Sequence, residues 1–115
     1  MHRFSYIVLL LVVSLTSGCA TPSMYSWGSY EQDLYKYYKS PDNLEDLESN
    51  LAVLLEQAET GQTIPPGLYA EYGYLMFEMG DAESAIKYFE KEKATWPESS
   101  QFMDTMIAAV RRLHE

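Results

Sequence analysis

The sequence predicts an all-α protein: a helical hairpin with one helix on each side, after an irregular aromatic N-terminal segment. Three observations predict it. Beyond residue 40, apolar residues recur at spacings of three and four, the period of one helix face. No stretch alternates apolar and polar residues as a half-buried strand does. Proline and glycine interrupt the pattern at Pro41, Pro65-Pro66-Gly67, Gly80 and Pro97, which cuts the chain into segments of helical length. A chain of 115 residues holds one domain.

Residues 1–18 differ from the rest. Arg3 supplies a positive start, Tyr6 to Val13 is an unbroken apolar run, and the small residues Thr16-Ser17-Gly18 lead to Cys19. The run is far short of the roughly 20 residues of a spanning helix and fits the apolar part of a signal peptide. The stretch up to Cys19 resembles the lipobox of bacterial lipoproteins, with Thr16 where Leu is usual. The resemblance implies cleavage before Cys19, a diacylglyceryl group on its thiol and an acylated amine. Ala20, in the place where lipoproteins kept at the inner membrane often carry Asp, implies transfer to the periplasmic face of the outer membrane. An uncleaved anchor and an ordinary free thiol are the alternatives. Cys19 is the only cysteine, so no intramolecular disulfide forms. An acyl chain contributes about 0.8 kcal/mol per buried CH₂, so several chains hold a protein where one does not.

The whole chain carries a formal charge of −9, and residues 1–18 contain one basic and no acidic residue. The mature protein is therefore more acidic still. Such a charge repels nucleic acid and anionic head groups, and it also serves solubility. Nucleic acid is excluded as a partner on this ground.

Residues 19–30 read as a lipidated tether and aromatic lead-in, and residues 31–115 as the helical domain. A short helix is expected over 31–38. Next comes a charged helix with one stripe, Leu44, Leu47, Leu51, Leu54, Leu55 and Ala58. Ser40, Asp42 or Asn43 caps its start and Gly61 ends it. The following helix runs from Leu68 to Met79, with Tyr69, Tyr72, Gly73, Leu75, Met76 and Met79 available for packing. After the Gly80-Asp81 turn, a helix from Ala82 to about Thr95 presents Ala85, Ile86 and Phe89. Ser99 or Ser100 caps the last helix, whose stripe is Phe102, Met103, Met106, Ile107, Val110 and Leu113.

Tyr69, Tyr72, Gly73, Gly80, Ala85, Phe89 and Pro97 fall at fixed offsets that resemble one tetratricopeptide repeat, W-x₂-L-G-x₂-Y, then A-x₃-F, then P. Gly73 and Ala85 are small enough for two helices to approach closely, and Gly80 permits the turn. The departure is Glu92, where the repeat has Ala. A carboxylate sits poorly at a helix contact unless paired or exposed, so the next helix is expected to stack in a different way. The chain also resembles the family of small proteobacterial lipoproteins known as DUF4810. The matching stretches are Tyr25-Ser26-Trp27-Gly28-Ser29-Tyr30-Glu31, Pro65-Pro66-Gly67-Leu68, Gly80-Asp81 and Phe89 to Lys93 through Trp96 to Ser99. This resemblance, over roughly residues 25–106, implies an outer-membrane lipoprotein assembly. Its partners would be other envelope lipoproteins, including ones resembling the curli secretion pore protein.

Little points to catalysis. The two histidines, His2 and His114, lie at opposite ends, and no zinc site or Cys/His nucleophile can be assembled from them. Glu78, Asp81 and Glu83 lack the ligand spacing of a calcium loop and read as a solvated turn. No cofactor, metal or enzymatic activity is expected. The aromatic lead-in draws most attention. Tyr25, Trp27, Tyr30, Tyr35, Tyr37 and Tyr38 crowd into fourteen residues, and aromatics with polar tips suit interfaces. The competing reading places Trp27, Tyr30, Leu34 and Tyr38 over the helical core. Tyr25, Trp27, Tyr30, Tyr35, Tyr69 and Tyr72 are the candidate contact residues of a protein–protein adaptor. The alternatives are a subunit that packs with itself or with a pore-forming lipoprotein, and a small cell-envelope enzyme.

Overall fold

The computed structural model describes residues 1–7 and 25–114. Cys19, the expected cleavage site and the tether lie outside the described residues. Residues 2–7 are helical, and the domain begins at Tyr25. It consists of α1 (Tyr30–Lys39), α2 (Leu44–Thr60), α3 (Leu68–Glu78), α4 (Ala82–Thr95) and α5 (Ser100–His114). Single 3₁₀ turns at Pro41–Asn43 and Pro97–Ser99 form two of the corners. The described residues include no strand, so the fold is all-α as expected. Each helix packs on the next in chain order, and α3 with α4 makes the most intimate pair. That hairpin has α2 before it and α5 after it, and α1 adds one further helix at the N-terminal side.

The core follows the periodicity. Leu47, Leu51, Leu54 and Leu55 of α2 are buried together with Leu68, Tyr72, Leu75 and Met76 of α3, Ala85 and Phe89 of α4, and Met103, Ile107 and Val110 of α5. Gly73 makes the α3–α4 approach possible. A Cβ there would lie 2.9 Å from the Phe89 ring and 3.1 Å from the Ala85 carbonyl oxygen. Gly80, at φ +84°, takes the left-handed conformation that closes the hairpin in three residues. Asp81 then caps α4, its carboxylate accepting from the Ser84 N–H at 3.0 Å. Ser84, through its side chain first and then this N–H, holds the Asp81 carboxyl below the usual range.

Several expectations need correction. Met79 and the ends of the α5 stripe, Phe102 and Leu113, are exposed. At about 100° per residue, Met103, Ile107 and Val110 face α4, while Phe102 and Leu113 lie about a quarter turn away. Neither Ser40 nor Asn43 gives α2 a side-chain cap. Neither Ser99 nor Ser100 caps α5. Their hydroxyls donate instead to the carbonyls of Trp96 (2.7 Å) and Pro97 (2.6 Å), tightening the 3₁₀ corner.

Glu92 brings the largest correction. It is 2 % exposed, yet α5 packs along α4 beside it. Its carboxylate accepts from the backbone N–H of Gly67 at 2.7 Å and of Ala70 at 3.3 Å. Gly67 is the N-cap of α3 and has no side chain to offer, and its φ of +91° suits glycine. The acidic group therefore satisfies two orphan donors at the positive end of a neighbouring helix, and no obstacle to stacking arises.

Candidate interaction surface

Of the six aromatic candidates, Tyr69 and Tyr72 turn out to be structural. Both are buried between α2, α3 and α4. The Tyr69 hydroxyl donates to Glu59 at 2.9 Å and the Tyr72 hydroxyl to Glu48 at 2.6 Å, tying α3 to the acidic side of α2. Tyr88 of α4 meets Tyr72 edge-on at 4.6 Å between centroids. Lys91 closes this cluster, 3.1 Å from Glu59 and 5.2 Å from the rings of both Tyr69 and Tyr88. Burial, then the bond to Glu59, pushes the Tyr69 phenol up to about 12. Burial, then the bond to Glu48, raises Tyr72 as well. For Glu59, burial acts to raise the carboxyl, but bonds from Lys91 and Tyr69 outweigh it and leave the group lowered. Both rings are turned into the packing of the described residues rather than presented to a partner.

The lead-in divides. Tyr25 meets the Trp96 ring edge-on at 6.3 Å, at the C-terminal end of α4. The Trp96 indole N–H is buried without a hydrogen-bond partner among the described residues. Trp27 lies against Tyr30, 5.5 Å between centroids, and both cover the core in part. The Tyr30 hydroxyl donates to Glu71 of α3 at 2.7 Å, so burial and that carboxylate raise its phenol. Beyond Tyr30 the three-and-four stripe fails: Tyr37 packs on the core, while Leu34, Tyr35 and Tyr38 are exposed. Tyr35 is 64 % and Tyr38 86 % exposed, which makes α1 the aromatic surface of the lead-in.

A second open region lies between α3 and α5. It is a half-open groove of about 330 Å³. Phe89 and Met103 form its floor, Ala70 and Tyr74 of α3 one wall, and Phe102 and Met106 of α5 the other. Glu71 sits on the rim. The neighbouring Glu78 carboxylate raises the Tyr74 phenol too. Sequence reading assigned Phe102 and Met106 to the core and left Ala70, Glu71 and Tyr74 unassigned. The signal available was that 70, 71, 74 and 78 recur on the side of α3 opposite its buried stripe. On the outer side of the α4–α5 contact, Lys93 Nζ donates to Asp104 at 2.5 Å and lies 3.7 Å from Glu90. The bond from Asp104 raises the Lys93 ammonium group.

Among the described residues no group of three or more His, Cys, Asp or Glu side chains is placed to hold a metal ion. No helix among them is long and apolar enough to cross a membrane.

The architecture and surface define an all-helical protein built on a tight hairpin, with apolar side chains left open on α1 and in the α3–α5 groove. The chain belongs to the family described as Domain of unknown function (DUF4810), whose model matches residues 24–106. No curated protein and no solved structure matches it.

Proposed function

We propose that this chain is a lipid-anchored adaptor on the periplasmic face of the outer membrane, where it holds together an assembly of envelope lipoproteins. Residues 1–18 would be removed, and Cys19 would carry the acyl chains. The α3–α4 hairpin would be a single tetratricopeptide-like repeat. In support, Gly73 and Ala85 are buried at a close approach of the two helices, Phe89 fills it and Gly80 turns it. A single repeat buries too little surface alone, and α2 and α5 supply the missing neighbours.

The observation that carries the adaptor reading is the open apolar area on three different helices: Tyr35 and Tyr38 on α1, Tyr74 on α3 and Phe102 on α5. Large aromatic side chains left exposed in an acidic, otherwise well-packed domain suit burial by a partner. Two measurements test the reading. Metabolic labelling with palmitate should mark the chain and be lost in Cys19→Ser. A photoreactive residue at Tyr38 or Phe102, in intact envelopes, should give one discrete adduct with another lipoprotein, whereas one at Glu83 on the solvent side of α4 should give none. Labelling without any adduct would leave the anchor and remove the adaptor.

A further inference from the structure

We infer that the α3–α5 groove receives a short segment of a partner protein that pairs apolar side chains with lysine or arginine. This rests on the adaptor reading and names the chemistry of its partner. The groove is apolar at its floor and walls, and its rim is anionic. Glu71 lies on the rim, and Glu78 follows one turn beyond Tyr74 on α3. The Tyr30 hydroxyl donates to Glu71 at 2.7 Å. A phenol orients a carboxylate but brings no positive charge to it. Among the described residues, neither carboxylate has a cation within ion-pair distance. Elsewhere, Asp33 has Lys36, Glu59 has Lys91, and Glu90 and Asp104 share Lys93. The carboxylates left without cations thus include Glu71 on the groove rim and Glu78 on the same helix.

That combination selects its occupant by charge. An acidic segment would bring like charges together, and an uncharged one would leave the rim unpaired. A segment with apolar residues at i and i+3 or i+4 and basic residues beside them fills the walls and meets the carboxylates of α3. Phe102 and Met106, four residues apart on α5, present the matching register.

The test uses the lipidated chain in discs of zwitterionic lipid, with empty discs as the blank. The probe is a fluorescent, photoreactive peptide of about eleven residues, with leucine at helical spacing and lysine elsewhere. A second peptide carries glutamate in place of lysine. The lysine peptide should bind saturably and crosslink to α3 and α5, and the glutamate peptide should not. Glu71→Gln with Glu78→Gln should weaken binding about three- to tenfold, and added salt should do the same. Glu45→Gln with Glu56→Gln removes equal charge from α2 and should leave affinity unchanged. Met106→Glu should abolish the crosslink to α5, with unchanged helicity showing that the variant folds. Equal weakening by the α2 pair, crosslinks spread over the acidic surface, or binding of the glutamate peptide would overturn the inference. So would concentration-dependent dimers abolished by Met106→Glu, which would assign the groove to a second copy. If envelope adducts form at Phe102 and the lysine peptide fails, the partner chemistry is wrong and the adaptor stands. If neither forms, both fall.

Discussion

Replacing Glu92 by Ala should be one of the most damaging single changes in this domain, although a sequence pattern marks the position as better suited to Ala. The carboxylate is buried and accepts two backbone N–H groups at the start of α3. A hydrogen bond to a charged acceptor contributes about 1.5–3 kcal/mol, and an unmade buried donor costs about 1–3 kcal/mol. The contact at 2.7 Å to Gly67 takes most of this, the 3.3 Å contact to Ala70 less. The favourable meeting of the charge with the helix N-terminus adds about 0.3–1 kcal/mol. Water entering the vacated space offsets part of the loss, which leaves an expected destabilisation of about 2–4 kcal/mol. Glu92→Gln keeps an acceptor oxygen but not the charge, and should cost about half as much. Urea unfolding followed by helix circular dichroism reads both values, with unchanged m-values showing that the same surface is exposed. Amide exchange at Gly67 and Ala70 should accelerate in Glu92→Ala before that of α4 does. A loss under about 0.5 kcal/mol for Glu92→Ala would refute the capping account, because surface changes of no structural consequence fall within that band.

Two further outcomes follow from the geometry. Gly73→Ala gains about 1 kcal/mol in helix propensity but places a Cβ 2.9 Å from a buried ring and 3.1 Å from a backbone oxygen, so thermal denaturation should show a net loss of about 1–2 kcal/mol. In alkali, the phenols of Tyr30, Tyr69 and Tyr72 are raised in the folded state, so their contribution is complete below the ordinary phenol value near ~10 and fades as pH climbs through the folded values. Absorbance at the phenolate band should therefore keep rising above the ordinary phenol value. Tyr69 should ionise toward about 12, together with loss of helicity, and early ionisation of all tyrosines would contradict the bonds to Glu48, Glu59 and Glu71.

Local patterns carried the helices well because each buried face repeats within a few residues. Leu47, Leu51, Leu54 and Leu55 are a plain case: the leucines recur on one side of α2 while most of the remaining positions are charged or polar, so one face is marked for burial. Gly73 was equally legible, since a small residue opposite Phe89 has a direct steric meaning. What escaped was non-local or ambiguous. Glu92 finds its donors 22 and 25 residues away, a distance on which periodicity is silent. In α1, tyrosines occupy adjacent positions 37 and 38, so two faces are equally aromatic, and only the packing of α1 on the core decides that Tyr37 turns inward. The groove was missed for a related reason. A stripe six residues long on α5 is wider than one neighbouring helix covers, and its outer edge became a wall.

The contact of Tyr25 with Trp96 also has a mechanical meaning. The chain enters the domain beside the far end of α4 and then crosses to α1, with Trp27 on Tyr30 along the way. A pull applied from the N-terminal side therefore reaches the α4–α5 corner first. The load passes through an aromatic clasp before any of it reaches the hydrogen bond between Tyr30 and Glu71. Helix α1 is thus loaded only after that clasp slips, and the domain meets tension first at its α4–α5 corner.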